Sequence, residues 1–176
     1  MRNKALAIGF KAESLERNDI EKILTVQRVC YPNMLLEEGA ALNSKLVIGQ
    51  EFSVGVYKNK VEDEQAEMIA YIISFPWVAR KKVAFNTESN LNTGEVADEL
   101  YIHDLAVAPS ERRNGIGEWL VREVIKKAKM SQLRNIRLIS VNSSELFWAS
   151  LGFSAEDGDV EGYGEGARYM GLKLRN

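Results

Sequence analysis

The pattern of apolar and polar positions is strongest between residues 100 and 128. Leu100 to Val107 is a run of apolar and β-branched residues, which predicts a buried central strand. Pro109 has no backbone N–H to donate, so the strand is expected to end before it. From Ile116 to Ala128 apolar residues recur at helical spacing, and lysines gather toward the end of the stretch. The pattern predicts a strand, a short turn and an amphipathic helix.

The N-terminal half combines helix patterns with strand patterns. Proline disfavours helical geometry in the residue before it, so Tyr31-Pro32-Asn33 is expected to separate two helices. The sequence Pro76-Trp77 is expected to end the third strand. The predicted elements are a short strand at Ala12–Leu15, helices at Asn18–Val29 and Glu37–Ile48, a hairpin of Phe52–Tyr57 and Glu67–Phe75, and an exposed loop at Arg80–Val96. That loop is interpreted as a flap over a neighbouring site or as a tolerated insertion.

The C-terminal part returns to short strands. The predicted elements are a strand at Ile136–Val141, a helix at Glu145–Leu151 ended by Gly152, a strand starting at Phe153, an acidic glycine-rich segment at Glu156–Gly166 and a last strand at Arg168–Leu174. No internal repeat or linker interrupts this order. We therefore predict a single domain over residues 1–176, of mixed α/β (α+β) class, with a central twisted mixed sheet of about six or seven strands flanked by helices.

Composition and charge exclude several classes of protein. The chain has 176 residues, 45% of them hydrophobic and 27% charged, with a formal net charge of -2. That charge favours neither nucleic acid nor an anionic membrane as a partner. No apolar run approaches the roughly 20 residues that span a bilayer, and no signal peptide is recognisable, so a cytoplasmic location is expected. The single cysteine, Cys30, is interpreted as a small buried hydrophobe, and one histidine with one cysteine predicts no metal site.

The turn between the central strand and its helix carries the clearest chemical signal. Arg112-Arg113-Asn114-Gly115-Ile116-Gly117 places two glycines and two arginines where the helix should begin. Glycine allows close approach of a ligand, and the N–H groups of a helix start attract phosphate oxygens. A Walker loop requires a lysine that does not follow Gly117, and a dinucleotide fingerprint requires a small residue where Leu120 stands. A pyrophosphate site of another kind is indicated.

Two motifs resemble those of the GNAT superfamily of N-acyltransferases. The first is Arg-x-x-Gly-x-Gly, formed by Arg112, Gly115 and Gly117, preceded by Asp-Leu-Ala-Val-x-Pro and followed by an amphipathic helix. The second is Val141-Asn-Ser-Ser-Glu-Leu-Phe-Trp-Ala-Ser-Leu-Gly-Phe153, similar to the later motif of the superfamily. The chain resembles in particular a bacterial-type subgroup with Phe-Trp in place of Phe-Tyr. The resemblance covers about a third of the chain.

The resemblance implies acetyl-CoA as co-substrate and assigns residues to it. A backbone N–H near Leu105 would polarise the thioester carbonyl. Asn142 would hold the pantetheine arm, although it lies one residue closer to Trp148 than in the commonest pattern. The residues implied to bind the cofactor are Leu105, Ala106, Val107, Arg112, Arg113, Asn114, Gly115, Ile116, Gly117, Glu118, Asn142, Phe147 and Trp148.

The catalytic acid and base are less clear from the sequence. Family members often carry a tyrosine as general acid where this chain has Trp148, so Tyr101, Tyr163, Tyr169 or water would have to protonate the thiolate, unless it leaves unprotonated. Histidine titrates closest to neutrality, which suits a base that deprotonates an amine. Strand alternation predicts Glu99, Tyr101, His103 and Leu105 on one face of the strand and Asp104 on the other. We therefore expect His103 as base, directly or through water, with Glu99 as second candidate.

The acceptor is predicted to be a small-molecule amine. Tyr31 and Trp77, with Phe75 and Trp148, are candidates for an aromatic wall around it, and the acidic Glu156–Glu165 segment suits an amine with an apolar or cationic part. Acetylation of a protein N-terminus or a lysine is the alternative, and a non-catalytic acyl-CoA-binding module is another. Nucleic acid and membrane are not expected as partners, and the resemblance leaves a homodimer open.

Overall fold

A computed structural model describes residues 9–58 and 66–174. It contains seven strands and four α-helices, close to the predicted elements. The strands are β1 Phe10–Ser14, β2 Val54–Lys58, β3 Glu67–Trp77, β4 Glu99–Val107, β5 Asn135–Ser140, β6 Ser154–Ala155 and β7 Arg168–Lys173. The helices are α1 Ile20–Cys30, α2 Gly39–Gly49, α3 Ile116–Met130 and α4 Glu145–Ser150. The described helices include none with the length and apolar character to cross a bilayer.

All seven strands form one mixed sheet in the order β1-β2-β3-β4-β5-β7-β6. Neighbouring strands are antiparallel except β4 and β5, which are parallel. Parallel neighbours need a long crossover connection, and α3 supplies it. The prediction of a mixed α/β fold with a central sheet flanked by helices is confirmed.

Helices pack on both faces of the sheet. On one face Leu100 and Ile102 of β4 join the apolar stripe of α3 in a shared core. On the other face Tyr71 and Ile73 of β3 pack with residues of α1 and α2. Each face thereby removes a continuous apolar surface from water, which is the main driving force for the fold. The central strands are covered on both sides, as their nearly continuous apolar sequences indicate.

Several predicted boundaries need correction. Pro76 and Trp77 continue β3 instead of ending it, because their partners on β4 extend the ladder to Glu99. Phe52 lies in a turn of 3-10 helix before β2. The loop predicted as exposed at residues 80–96 has an anchor in the core, since Val83 is buried beside the aromatic residues of β3.

The predicted alternation along β4 is wrong beyond His103. The β3–β4 register shifts between Ile73 and Ser74, whose partners are Asp104 and Ile102, so His103 is an extra residue on β4. Such a bulge moves the following side chains to the opposite faces. Asp104 consequently lies on the face of Tyr101 and His103, and Leu105 packs against the α3 core. Sequence spacing alone does not reveal this bulge.

Candidate functional site

The sheet opens between β4 and β5, and a large cavity lies there. The parallel ladder ends at the pair Ile102–Leu138, one residue before the bulge at His103. Beyond that point β4 and β5 are not paired with each other. The cavity of about 830 Å³ lies at this opening and reaches the start of α3 at one end and Glu37 at the other. A cavity of this size accommodates an elongated ligand.

Most residues that the sequence assigned to a cofactor meet at this cavity. Asn114 is the exception, since its side-chain amide lies 3.5 Å from Glu111 Oε2 and it is outside the lining. The cofactor candidates that line the cavity are Leu105, Ala106, Val107, Arg112, Arg113, Gly115, Ile116, Gly117, Glu118, Asn142, Phe147 and Trp148.

The turn before α3 is shaped for an anionic group. Gly115 is the N-cap, with φ 78°, and Arg113 is also left-handed, with φ 67°. The first N–H groups of a helix have no acceptor within it, and they carry the positive end of the helix dipole. A Cβ placed on Gly117 would make ordinary van der Waals contact with the side chains of Phe147 and Val107, which are nearest at 3.6 Å, so packing within the protein does not by itself require a glycine here. The turn therefore fits a diphosphate.

Two side chains reach the backbone of β4 inside the cavity. Arg112 Nε donates to the carbonyl oxygen of Val107 over 3.1 Å. The hydroxyl of Tyr31, at the end of α1, lies 2.9 Å from the carbonyl oxygen of Leu105 and 2.5 Å from Asp104 Oδ1. Tyr31 thus lines the cavity, and its hydroxyl is already bonded to the strand.

Trp148 has a packing role in this structure. Its ring is buried between Phe147 and Phe153, at centroid distances of 5.1 and 5.4 Å. The indole N–H donates to Ser144 Oγ over 3.2 Å, so this donor is already used. Asn142 has a left-handed backbone, with φ 52°, and lines the cavity just before α4. The late motif therefore forms an aromatic wall with one polar residue at its edge.

The other end of the cavity holds a buried hydrogen-bonded pair of His103 and Glu37 that the sequence did not indicate. His103 Nε2 lies 2.5 Å from Glu37 Oε1, and the side chains are 1% and 5% exposed. Burial raises the pKa of Glu37, but His103, Lys45 and the backbone N–H of Asn86 outweigh it and lower the pKa to about 2. The carboxylate is therefore ionised and can only accept, so the imidazole donates from Nε2. His103 Nδ1 is buried without a hydrogen-bond partner among the described residues.

Glu37 is itself fixed by several groups. Gln27 of α1 bonds both backbone groups of Glu37, over 2.7 and 3.0 Å. Lys45 of α2 is fully buried, lies 3.5 Å from Glu37 Oε2 and donates to the carbonyl oxygen of Thr87 over 2.8 Å. The backbone N–H of Asn86 donates to Glu37 Oε2 over 2.7 Å. Burial lowers the pKa of Lys45, although Glu37 opposes that change. This network joins α1, α2 and the β3–β4 loop around the imidazole.

Asp104 belongs to a second buried cluster. Tyr71 donates to Asp104 Oδ2 over 2.5 Å, and Tyr31 lies equally close to Oδ1. Burial raises the pKa of Asp104, and the two phenols partly offset that change. Asp104 ties α1 to β3 and β4, so the structural role expected for it fits its position, although its face was predicted incorrectly.

Three predicted site residues lie away from the cavity. Glu99 is buried and forms a bidentate salt bridge with Arg137, with distances of 2.9 and 3.0 Å. Its carboxylate also accepts a hydrogen bond from the side-chain amide of Asn135 over 2.8 Å. Tyr101 lies behind His103, with its ring 6.3 Å from the imidazole. Trp77 packs on Phe75 and donates to the carbonyl oxygen of Lys81. None of the three is in the cavity lining. Their predicted catalytic and substrate-binding roles gain no support from position.

Reasoning from the sequence missed Glu37, Lys45 and Phe85. Glu37 stands in a polar stretch that resembles an ordinary helix start, and Lys45 looks like a solvated helix residue. Only the burial of Glu37 and Lys45, which depends on the whole fold, distinguishes them from ordinary surface residues. Phe85 in the β3–β4 loop lines the cavity beside Tyr163. Among residues 9–58 and 66–174 no group of three or more His, Cys, Asp or Glu side chains could hold a metal.

Comparison with known proteins identifies a family. A model of the acetyltransferase (GNAT) family matches residues 22–153, well over half of the chain. A search of the curated proteins found no match.

Solved structures share the fold at low sequence identity. The paia N-acetyltransferase from Thermoplasma acidophilum, in complex with coenzyme A, is 17% identical, with a TM-score of 0.66 over 95% of this chain and 100% of that one. Naa50 from Arabidopsis thaliana, in complex with the bisubstrate analogue CoA-Ac-MVNAL, is 15% identical, with a TM-score of 0.69 over 95% and 100%. The ribosomal-protein-S18-alanine N-acetyltransferase from Escherichia coli is 17% identical, with a TM-score of 0.65 over 93% of both chains.

Proposed function

This chain belongs to the acetyltransferase (GNAT) family and is an acyltransferase, and we propose that it transfers the acetyl group of acetyl-CoA to the primary amine of a small molecule, by direct attack in a ternary complex. The observation that carries this proposal is the cavity between β4 and β5. One end of it meets the N-terminus of α3, and the other end meets the His103–Glu37 pair. The candidate diphosphate site and the candidate base site thereby line the same cavity, which supports the proposal.

The residues present fit acetyl-CoA. The N–H groups at the start of α3, with Arg112 and Arg113, would hold the diphosphate. The pantetheine arm would run along Leu105, Ala106 and Val107, where β4 has left β5. Arg112 would have to release the carbonyl oxygen of Val107 if the arm bonds there. Two of the similar structures carry coenzyme A or an analogue of it, which supports the assignment.

The base would be His103, positioned by Glu37. The bound thioester supplies an activated acetyl group. The amine nitrogen forms a bond to the acetyl carbon, the carbon–sulfur bond breaks, and the amine proton passes to His103 Nδ1 while the thiolate leaves. The carboxylate of Glu37 fixes the tautomer in which Nδ1 accepts. Because the imidazole is almost fully covered, we propose that a water molecule relays the proton.

The shape of the acceptor end favours a small amine. The β3–β4 loop and the segment between β6 and β7 meet there. The rings of Phe85 and Tyr163 lie 5.5 Å apart, and the Tyr163 hydroxyl donates to the carbonyl oxygen of Val83 over 3.2 Å. Lys82 bonds Asp159 and Glu161 of that segment, over 2.8 and 2.9 Å. These contacts hold the two segments together beside Phe85 and Tyr163, which line the cavity, and this enclosure supports a small acceptor.

A protein N-terminus is the second candidate acceptor. It is favoured by the similar structures, which include an enzyme named for the acetylation of a ribosomal-protein alanine and one bound to a peptide-like analogue. Because their sequence identity to this chain is low, these structures support the assignment of the fold more than they support the choice of acceptor.

Purified protein with acetyl-CoA and a panel of acceptors tests the proposal. The panel contains small amines and short peptides with free N-termini, and the measurements are thiol release and the mass of the product. Acetylated small amines with turnover are expected. Turnover with peptides but with none of the small amines would show that the acceptor is a protein N-terminus and would contradict the small-molecule acceptor. Binding of coenzyme A with no thiol release for any acceptor would favour a non-catalytic module.

A further inference from the structure

A second, smaller depression lies beside the main cavity. It measures about 180 Å³ and is lined by the turn after β3, the segment before β7 and the side chains of Tyr101 and Tyr169. Ile139 of β5 lines both this depression and the main cavity. Val83 lines the depression, and its carbonyl oxygen accepts from Tyr163, which lines the cavity. A molecule whose amine is in the main cavity could therefore place its other end in this depression.

Among the described residues that line this depression, one cation has no salt-bridge or hydrogen-bond partner. Lys81 bonds Glu95 over 2.7 Å and lies over the Trp77 ring. Lys82 is held by Asp159 and Glu161. Arg80 has no salt bridge or hydrogen bond in the part of the chain that the structure describes, and its side chain is exposed at the rim. Its guanidinium is therefore available for a ligand, and a carboxylate is a group that matches its planar fork.

The backbone around Arg80 is unusual as well. Arg80 has φ 59°, a left-handed conformation that costs energy for a residue with a Cβ. The opposite wall lies close to the sheet, because a Cβ on Gly158 would fall 2.3 Å from the Tyr169 ring. Lys81 is paired with Glu95, and Lys82 with Asp159 and Glu161, so the charges of the lining that remain unpaired among the described residues are those of Arg80 and Asp157. Asp159 is neutralised by Lys82, whereas Asp157 has no partner among the described residues.

We propose that this depression is a subsite for the far end of the acceptor and that Arg80 binds a carboxylate there. The inference rests on the proposed function and makes it more specific: the acceptor is an amine that carries a carboxylate at the opposite end of its carbon chain, such as an ω-amino acid or the side-chain amine of lysine. The aromatic rings of Tyr101 and Tyr169 form the floor on which the carbon chain of that acceptor lies. The amine reaches past Ile139 toward His103.

Pairs of acceptors that differ only in the carboxylate test this subsite. The side-chain amine of lysine is compared with cadaverine, and 6-aminohexanoate with pentylamine, at saturating acetyl-CoA. At least one carboxylate-bearing member is expected to have a KM about tenfold or more below that of its partner. Arg80→Gln raises that KM about tenfold and leaves kcat and the KM of the amine without a carboxylate unchanged. Arg80→Lys recovers part of the loss. Arg28→Gln, at an exposed arginine of α1, is the matched control.

Calorimetry gives a readout that does not depend on turnover. Protein loaded with coenzyme A is titrated with the carboxylate-bearing amine, and Arg80→Gln is expected to weaken the binding while Arg28→Gln leaves it unchanged. Acetylation of amines without preference for the carboxylate, or equal constants for wild type and Arg80→Gln, would overturn the subsite and leave the proposed function intact. Absence of acetyl transfer to every amine would overturn both.

Discussion

Glu37 Oε1 lies 2.5 Å from His103 Nε2, although the two residues come from the α1–α2 connection and from the bulge of β4. The imidazole is thereby held with Nε2 as donor, and Nδ1 is left as the nitrogen that can accept a proton. The bulge that inserts His103 also coincides with the end of the β4–β5 ladder. The bulge at His103 therefore lies where β4 and β5 separate, and it carries the proposed base.

Removal of the carboxylate tests its positioning role. Glu37→Gln is expected to lower kcat by ~10- to 100-fold, because loss of an orienting group typically costs that much. The affinity for coenzyme A stays the same, and the pH profile of kcat shifts because the partner of the imidazole has lost its charge. Glu38→Gln, at the exposed neighbour, is the matched control. An unchanged kcat and pH profile in Glu37→Gln would contradict the role.

The same carboxylate makes stability depend on pH in a defined window. The pKa of Glu37 is lowered from 4.5 to about 2 in the folded protein. Its ionisation therefore stabilises the fold fully above pH 4.5, and this stabilisation of up to about 3 kcal/mol is lost as pH falls through about 2. Denaturant unfolding of wild type and Glu37→Gln across this range is the measurement. Wild type is expected to lose more stability than the variant; parallel curves would disprove the linkage.

Replacement of the base itself has a separate expected result. His103→Ala is expected to lower turnover by ~10²-fold while the affinity for coenzyme A is retained, since general-base catalysis contributes about that factor. Kinetics at several pH values, together with calorimetry, separate the two effects. Wild-type turnover in this variant would remove His103 from the mechanism.

Trp148 provides a contrasting case. Its ring is packed in the core and its N–H is bonded to Ser144. Trp148→Phe keeps an aromatic ring but leaves a smaller side chain and one hydrogen bond fewer, so a loss of about 1–3 kcal/mol in unfolding free energy is expected. Turnover at a temperature well below the transition should change less than threefold. A loss of turnover as large as that of His103→Ala would assign chemistry to the indole.

Much of the fold could be predicted because its signals are local. The apolar run of β4, the spacing of α3 and the glycines before it each have a direct conformational cause, and these elements lie where they were expected. The face of Asp104 and the partner of His103 could not be predicted. The face of Asp104 depends on one extra residue of β4 in its pairing with β3. The partner of His103 depends on the burial of Glu37 and Lys45 by segments that are far apart in sequence. Long-range packing decides both.

Calorimetric titration of coenzyme A into wild type and Gly117→Asp tests the central claim, that the turn before α3 holds the diphosphate. The Cβ of the new side chain would lie at ordinary contact distance from Phe147 and Val107, so the variant should fold. Its carboxylate would face the phosphates, and we expect wild type to bind and the variant to lose affinity by about 100-fold or more. Ser131→Asp, at the far end of α3, should bind as wild type does. No heat with wild type, or equal affinity in Gly117→Asp, would contradict the account.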